Sequence, residues 1–484
     1  MTTGTTDNGL PPGFIKLAVI LLTGVMAVVF DSTIVNVAVA TLGREMHVGI
    51  ATTQWVITAY VLALAMVVPI SGWAMGRFGG KRVWIFSLAL FLTGSVLSSL
   101  AWNMDSLIAF RVLQGIGGGL MLPIMQNLFV EAAGGKALGR AMAVVGLPVI
   151  LGPILGPVLG GLIISHLSWR WMFWVNVPFC VVGLALAWWG LAADGRRARQ
   201  RLDVLGLALL SPAVAALIYG LTQVGVKGGV AHEAVIVPLS LGLALLVGFV
   251  IHALRTEGEP LIDLRLFSHR AFAASSSLLF LSGLALYGAM LLLPLYYQQL
   301  RGQSVLAAGL LLAPQGLGML LTRGQAGKLT DRIGARSVVL AGFVLTLIGT
   351  LAYTQAGLHT NELLLGMALV VRGAGLGAVT IPIMATAYLG LQGAQIAHAS
   401  SATRIMQQLG GSFGAAVIAV ILETQVAAHH VAGSAGLATA FADTFWWTLG
   451  LTAVALLPAL LLPSGTSARK AARAQEPAEE PLAE

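Results

Sequence analysis

Charge is what this chain has least of: only 10% of its 484 residues are Asp, Glu, Lys or Arg, against roughly 25% in an ordinary soluble domain. With 57% hydrophobic residues beside them, there are too few polar side chains to cover a water-facing surface. Cysteine is almost absent as well. Cys180 is the only one and falls inside an apolar run, which excludes a disulfide framework and a cysteine-rich metal site. His429 and His430 stand together without a Cys or acid beside them, so they read as a solvated loop and no metal or other cofactor is expected. No glycine loop is followed by Lys-Ser or Lys-Thr, which removes the usual cradle for a nucleoside triphosphate. The first fifteen residues, with Pro11 and Pro12 but no basic cluster, lack the short apolar core and small-residue cleavage site of a removable leader. The first apolar run is therefore expected to be retained. A net charge of +8 arises from basic residues scattered in short gaps rather than gathered in a patch, so nucleic acid is not an expected partner.

What the chain has in abundance is long apolar runs. At ~1.5 Å per helical residue, about 18 to 25 residues cross a hydrocarbon core of ~30 Å. The runs predict an all-α integral membrane protein with spans near 14–39, 51–74, 83–102, 106–130, 140–164, 171–192, 204–223, 233–254, 273–298, 305–325, 337–357, 362–386, 401–422 and 443–463. With the N-terminus inside, the inner loops and tails hold about 21 Lys and Arg, including Arg77, Lys81, Arg82 and Arg196. The outer loops hold about four: Arg44, Arg170, Lys227 and Arg301. The positive-inside rule then places both termini in the cytoplasm.

The chain also repeats itself. Gly72-Trp73-Ala74-Met75-Gly76-Arg77-Phe78-Gly79-Gly80-Lys81 follows the second run, and Gly327-Lys328-Leu329-Thr330-Asp331-Arg332-Ile333-Gly334-Ala335-Arg336 follows the tenth. Arg111, Gly115, Gly117 and Pro123 in the fourth run are matched by Arg372, Gly375, Gly377 and Pro382 in the twelfth. This predicts a cytoplasmic tail over 1–13, a six-helix half over 14–192, an inserted helix pair within 193–255, a second six-helix half over 256–463 and a solvated tail over 464–484.

At this point the sequence resembles the major facilitator superfamily, in its fourteen-helix drug:proton antiporter branch. The first span carries Asp31-Ser32-Thr33-Ile34-Val35-Asn36-Val37-Ala38, similar to the branch's helix-one signature, and the second carries Gln54-Trp55-Val56 with Tyr60. Arg111-Val112-Leu113-Gln114-Gly115-Ile116-Gly117 looks like the helix-four motif. Gly152-Pro153-Ile154-Leu155-Gly156-Pro157-Val158-Leu159-Gly160-Gly161 looks like the helix-five antiporter motif, and Trp169-Arg170-Trp171 with Asn176 and Pro178 completes the series. The resemblance implies alternating access of two halves about a midplane site, proton entry exchanged for export of a small organic molecule, a bacterial plasma membrane and a functional monomer. It leaves open an accessory protein that extends the export path. One departure stands out. Gly76 occupies a place usually acidic in the helix 2–3 motif, where the acid helps latch the cytoplasmic side, while Asp331 fills the equivalent place in the second half. The first-half latch is therefore expected to be weaker, or replaced by Arg77, Lys81 and Arg82 meeting a different partner.

A carboxylate deep in the first span is costly, about 2.5–3.5 kcal/mol even on lenient scales, so Asp31 is the candidate proton carrier. The resemblance implies that Arg111 takes part in the proton coupling; it shares one helix face with Gln114, Gly115, Gly118 and Gly119, and arginine acts only by favouring an anion or repelling a cation. Gly152, Gly156 and Gly160, with Pro153 and Pro157, give the fifth span a smooth, bent packing face. Together with Gly72, Arg77, Gly79, Lys81, Asp331 and Arg332 they are the expected moving parts. Substrate contacts are expected among Asn36, Gln54, Tyr60, Gln126, Tyr287 and Tyr297, polar handles on otherwise apolar helices. An uncoupled or symporting facilitator remains an alternative. A membrane enzyme or receptor does not fit, because neither an intramembrane catalytic cluster nor a soluble sensor domain is visible.

Overall fold

Hydrocarbon offers no hydrogen-bond partner, so a backbone that crosses it has to satisfy itself, and in this chain it does so as helix. The computed structural model describes residues 13–37, 39–48, 50–133, 156, 159–164, 166–193, 201–227, 229–256, 260–391, 394–429 and 433–463. No strand occurs among the described residues. The long helices are α1 (Phe14–Val37), α2 (Trp55–Phe78, tightened to a 3-10 turn at Val68–Ile70 where Pro69 sits), α3 (Gly80–Ser99) and α4 (Met104–Ala133). Then come α5 (Asn176–Gly190), α6 (Val204–Lys227), α7 (Glu233–Arg255), α8 (Arg270–Leu295) and α9 (Val305–Ile333). The remainder are α10 (Ala335–Leu351), α11 (Glu362–Ala387), α12 (Ala394–Ala428) and α13 (Gly433–Val454).

Twelve helices among the described residues are long and apolar enough to cross a bilayer. They coincide with the first four, the sixth to ninth and the eleventh to fourteenth expected runs. The tenth run falls in α9, an unbroken helix of 29 residues that stands outside those twelve. The fifth run lies mostly outside the described residues, with helix described only at Gly156 and over 159–164.

The internal repeat is visible in the backbone. Gly79 and Gly334, at the α2–α3 and α9–α10 junctions, adopt nearly the same conformation, φ 90° ψ 155° and φ 91° ψ 158°. Only glycine visits that region without strain, and each N–H closes the preceding helix by bonding Met75 O and Thr330 O. Packing repeats as well. α4 lies along both α2 and α3, and α11 lies along both α9 and α10. Glycine permits the close approach in each half: a Cβ on Gly94 of α3 would stand 2.7 Å from the Gln114 Cα, and one on Gly349 of α10 would stand 2.5 Å from the Arg372 nitrogen.

The two halves meet at the end of the bundle that carries those glycine turns. Ser71 and Ser401 hydroxyls are 2.9 Å apart, Gly72 lies against the Ala397 carbonyl, and the Tyr388 hydroxyl donates to Gln126 Oε1 at 3.5 Å. Helix α6 straddles the join, packing on α2 and on α12, with Tyr219 stacked on Trp55 at 5.7 Å between centroids. Its partner α7 is the outermost of the long helices: 17% of its apolar stretch is buried, against 67% for α4, so most of α7 is lipid-facing. Asp203 anchors the base of this pair. Its carboxylate accepts from Gly206 N at 2.8 Å and Leu261 N at 3.1 Å, and His252 Nε2 lies 2.8 Å away. Burial pushes the Asp203 carboxyl up, but those amides and the His252 ring outweigh it and hold it below the ordinary carboxylate range.

Candidate functional site

Asp31 is fully buried in α1, six residues short of the helix end at Val37. A charge there survives only if paired and hydrogen-bonded, and two neighbouring helices supply three partners. Arg111 Nη1 of α4 donates to Asp31 Oδ2 at 2.5 Å, Gln114 Nε2 donates to Oδ1 at 2.9 Å, and Asn176 Nδ2 of α5 donates to Oδ1 at 3.0 Å. Arg111, 1% exposed, is itself held in place. Its Nε donates to the Val56 carbonyl of α2 at 3.1 Å, its Nη1 also to Gln114 Oε1 at 2.7 Å, and its guanidinium lies 4.0 Å from the centre of the Tyr60 ring. Ser95 of α3 accepts from Asn176 at 3.0 Å and donates to the Phe173 carbonyl at 2.9 Å. The cluster thus joins α1, α2, α3, α4 and α5 around one ion pair.

A proton arriving on Asp31 would cancel the charge that Arg111 answers, and removing one member of a buried pair costs about 3–5 kcal/mol. The repeat-mate Arg372 has no acid beside it among the described residues. It is 2% exposed and donates to neutral oxygens: Gln315 Oε1 at 2.5 Å, Thr350 Oγ1 at 3.2 Å and the Ala285 carbonyl at 3.3 Å. Among the described residues, only the first half therefore carries an ionisable pair of this kind.

The other expected residues scatter. Gln126, 4% exposed, lies where the halves touch, whereas Gln54 is exposed at the start of α2. Tyr287 is 41% exposed on α8, and Tyr297 is buried, sharing a 2.9 Å hydroxyl contact with Tyr353. Neither Gln54 nor Tyr287 nor Tyr297 joins the Asp31 cluster. Asn36 lies within α1, and nothing of its side chain is described. Among the expected moving parts, Gly72 packs on α12, Gly156 faces Thr33 of α1 and Gly160 is buried. Arg77 and Arg332 are exposed. Gly152, Pro153, Pro157 and the Asp331 side chain lie outside the described residues. Lys81 Nζ donates to the Trp188 and Leu191 carbonyls at 2.7 and 2.9 Å, capping the C-terminal end of α5. His429 is brought 3.9 Å from Asp443, an acid that is remote in sequence, yet the described residues hold no group of three potential metal ligands.

Comparison with known proteins gives a consistent result. Residues 21–415 match the model of the Major Facilitator Superfamily. A protein of Mycobacterium tuberculosis strain H37Rv named multidrug resistance protein B homolog is 39% identical over 419 residues, covering 86% of this chain and 77% of its own. The multidrug export protein EmrB of Haemophilus influenzae is 30% identical over 421 residues, covering 85% and 82%. Among solved structures, the proton:xylose symporter XylE superposes with a TM-score of 0.63 at 13% identity, over 96% of this chain and 99% of XylE, a likeness of fold alone.

Proposed function

The chain belongs to the major facilitator superfamily, and from that premise we propose that it is a proton-driven exporter of small organic molecules in a bacterial plasma membrane. That it is a multi-pass membrane transporter rather than an enzyme follows from the family and its relatives; the direction of transport and its coupling are the proposal. The observation that carries it is Asp31, a fully buried carboxylate tied by an ion pair to Arg111. In this reading the chain crosses fourteen times with both termini cytoplasmic, as two six-helix halves around the inserted pair, and works as a monomer. The end closed by Ser71, Gly72, Gln126 and Tyr388 is then cytoplasmic, and the conformation faces outward.

A proton entering from outside neutralises Asp31 and releases Arg111 from it. The guanidinium then has to find other acceptors, which favours a rearrangement of α1 against α4 and with it the inward-facing arrangement. Solute collected inside returns the halves outward once the proton has left toward the cytoplasm. The relatives' names, multidrug resistance and multidrug export, support a drug-like cargo.

The test uses purified protein in liposomes with an imposed pH gradient, following a lipophilic dye in the original chain and in Asp31→Asn. Gradient-dependent movement in the original and its loss in the variant are expected. Equal movement in both, indifferent to the gradient, would replace the exporter with an uncoupled facilitator.

A further inference from the structure

A buried carboxylate that gives and takes a proton needs neighbours suited to both of its states: donors while it is ionised, and an acceptor once it carries O–H. Asp31 is well supplied with donors. Arg111 Nη1 faces its Oδ2, while Gln114 Nε2 and Asn176 Nδ2 both face its Oδ1. An O–H formed on Oδ1 would meet two N–H groups and no acceptor, which is costly where water cannot reach.

Of the three side chains bonded to Asp31, two cannot turn to meet that need. Arginine has no acceptor, and Gln114 Oε1 already takes Arg111 Nη1 at 2.7 Å. Asn176 differs. It is fully buried at the start of α5, and its Nδ2 donates to Asp31 Oδ1 and to Ser95 Oγ, each at 3.0 Å. Its Oδ1 is buried with no hydrogen-bond partner among the described residues. A half-turn about the Cβ–Cγ bond, a torsion that is broad and roughly two-fold, exchanges the two ends of the amide. Oδ1 then faces the Asp31 O–H and Ser95, whose hydroxyl now donates to the Phe173 carbonyl at 2.9 Å and is free to rotate toward Asn176 instead. Nδ2 takes the unpartnered space. Either orientation leaves one end of the amide unpaired, so the charge on Asp31 decides between them. Besides Arg111, the titratable side chains that feel that charge are Tyr60 of α2 and Cys180 of α5, and neither is hydrogen-bonded to Asp31 among the described residues.

We propose that Asn176 is the positioning residue that follows the charge of Asp31, an N–H donor to the carboxylate and, with its amide turned over, a C=O acceptor for the carboxylic acid. This rests on the reading of Asp31 as the proton carrier and adds what holds the proton there. As the proton arrives, the ionic tie of α1 to α4 lapses while its tie to α5, and through Ser95 to α3, is remade with the opposite polarity.

Infrared difference spectra of the purified full-length protein between neutral and acidic pH test this with neither gradient nor cargo. The C=O band of protonated Asp31, identified by its loss in Asp31→Asn, should lie where hydrogen-bonded carboxylic acids absorb. In Asn176→Leu, which keeps the shape and removes the amide, it should move to the higher wavenumber of an unbonded acid; thermal unfolding shows whether that variant is folded. The unaltered chain gives a second measurement. With asparagine isotope-labelled at its side-chain carbonyl carbon, one labelled band should move to lower wavenumber on acidification, as an unbonded carbonyl does when it gains a donor, and Asp31→Asn should abolish the movement. An Asp31 band unmoved in folded Asn176→Leu, or labelled carbonyls that ignore the pH, would overturn the role of Asn176 and leave proton coupling through Asp31 standing. The absence of any acid-form band that depends on Asp31 would overturn both.

Discussion

The Asp31 cluster depends on residues that carry no charge as much as on the pair itself. Gly94 lets α3 approach the Gln114 backbone closely, and Gln114 donates to Asp31. Gly94→Ala would press a methyl against backbone that cannot rotate away, so it is expected to cost about 1–3 kcal/mol of stability and to lower the unfolding midpoint in detergent. Gly161→Ala, where a Cβ meets nothing among the described residues within 4 Å, should leave the midpoint unchanged. Asp31 and Arg111 were legible in the sequence, because a lone charge in an apolar run is conspicuous. Asn176 was visible only as part of a motif, and Ser95 not at all, since their partnership joins positions 81 apart and arises only when α3 and α5 pack.

At the scale of elements, helix existence was read well from apolar length, whereas the junctions needed backbone geometry. That Gly79 and Gly334 share one left-handed conformation turns a similarity of letters into a similarity of turns. The inserted pair was legible as two runs without internal repeats, but its anchoring was not, because Asp203 reaches its partners only after α6 and α7 fold back together. Since the folded state holds the Asp203 carboxyl below its ordinary range, its contribution is complete at neutral pH and fades only as the pH falls through that depressed value. Asp203→Ala should therefore lower hydrogen-exchange protection of the Leu261 and Gly206 amides roughly tenfold near neutral pH, about the net worth of one hydrogen bond to a charged group. The original chain should approach the variant's protection only in acid.

For the whole molecule, the contact between halves gives a direct handle on motion. Cys180 is the only cysteine, so replacing it by alanine leaves a background in which Ser71→Cys and Ser401→Cys form the only thiol pair, at positions whose hydroxyls are 2.9 Å apart. Oxidation should lower transport to background, and a reductant should restore it; unchanged flux in a chain shown to be crosslinked would mean that this contact does not open during the cycle. The two-half plan was legible from the repeated motifs, while which faces touch was not. Where α6 lies has a further consequence. By packing on α2 and α12 together, it puts protein where acyl chains would otherwise border the crevice between them, so a hydrophobic solute dissolved in the leaflet has no entrance along that flank and must arrive either through water or from elsewhere around the perimeter.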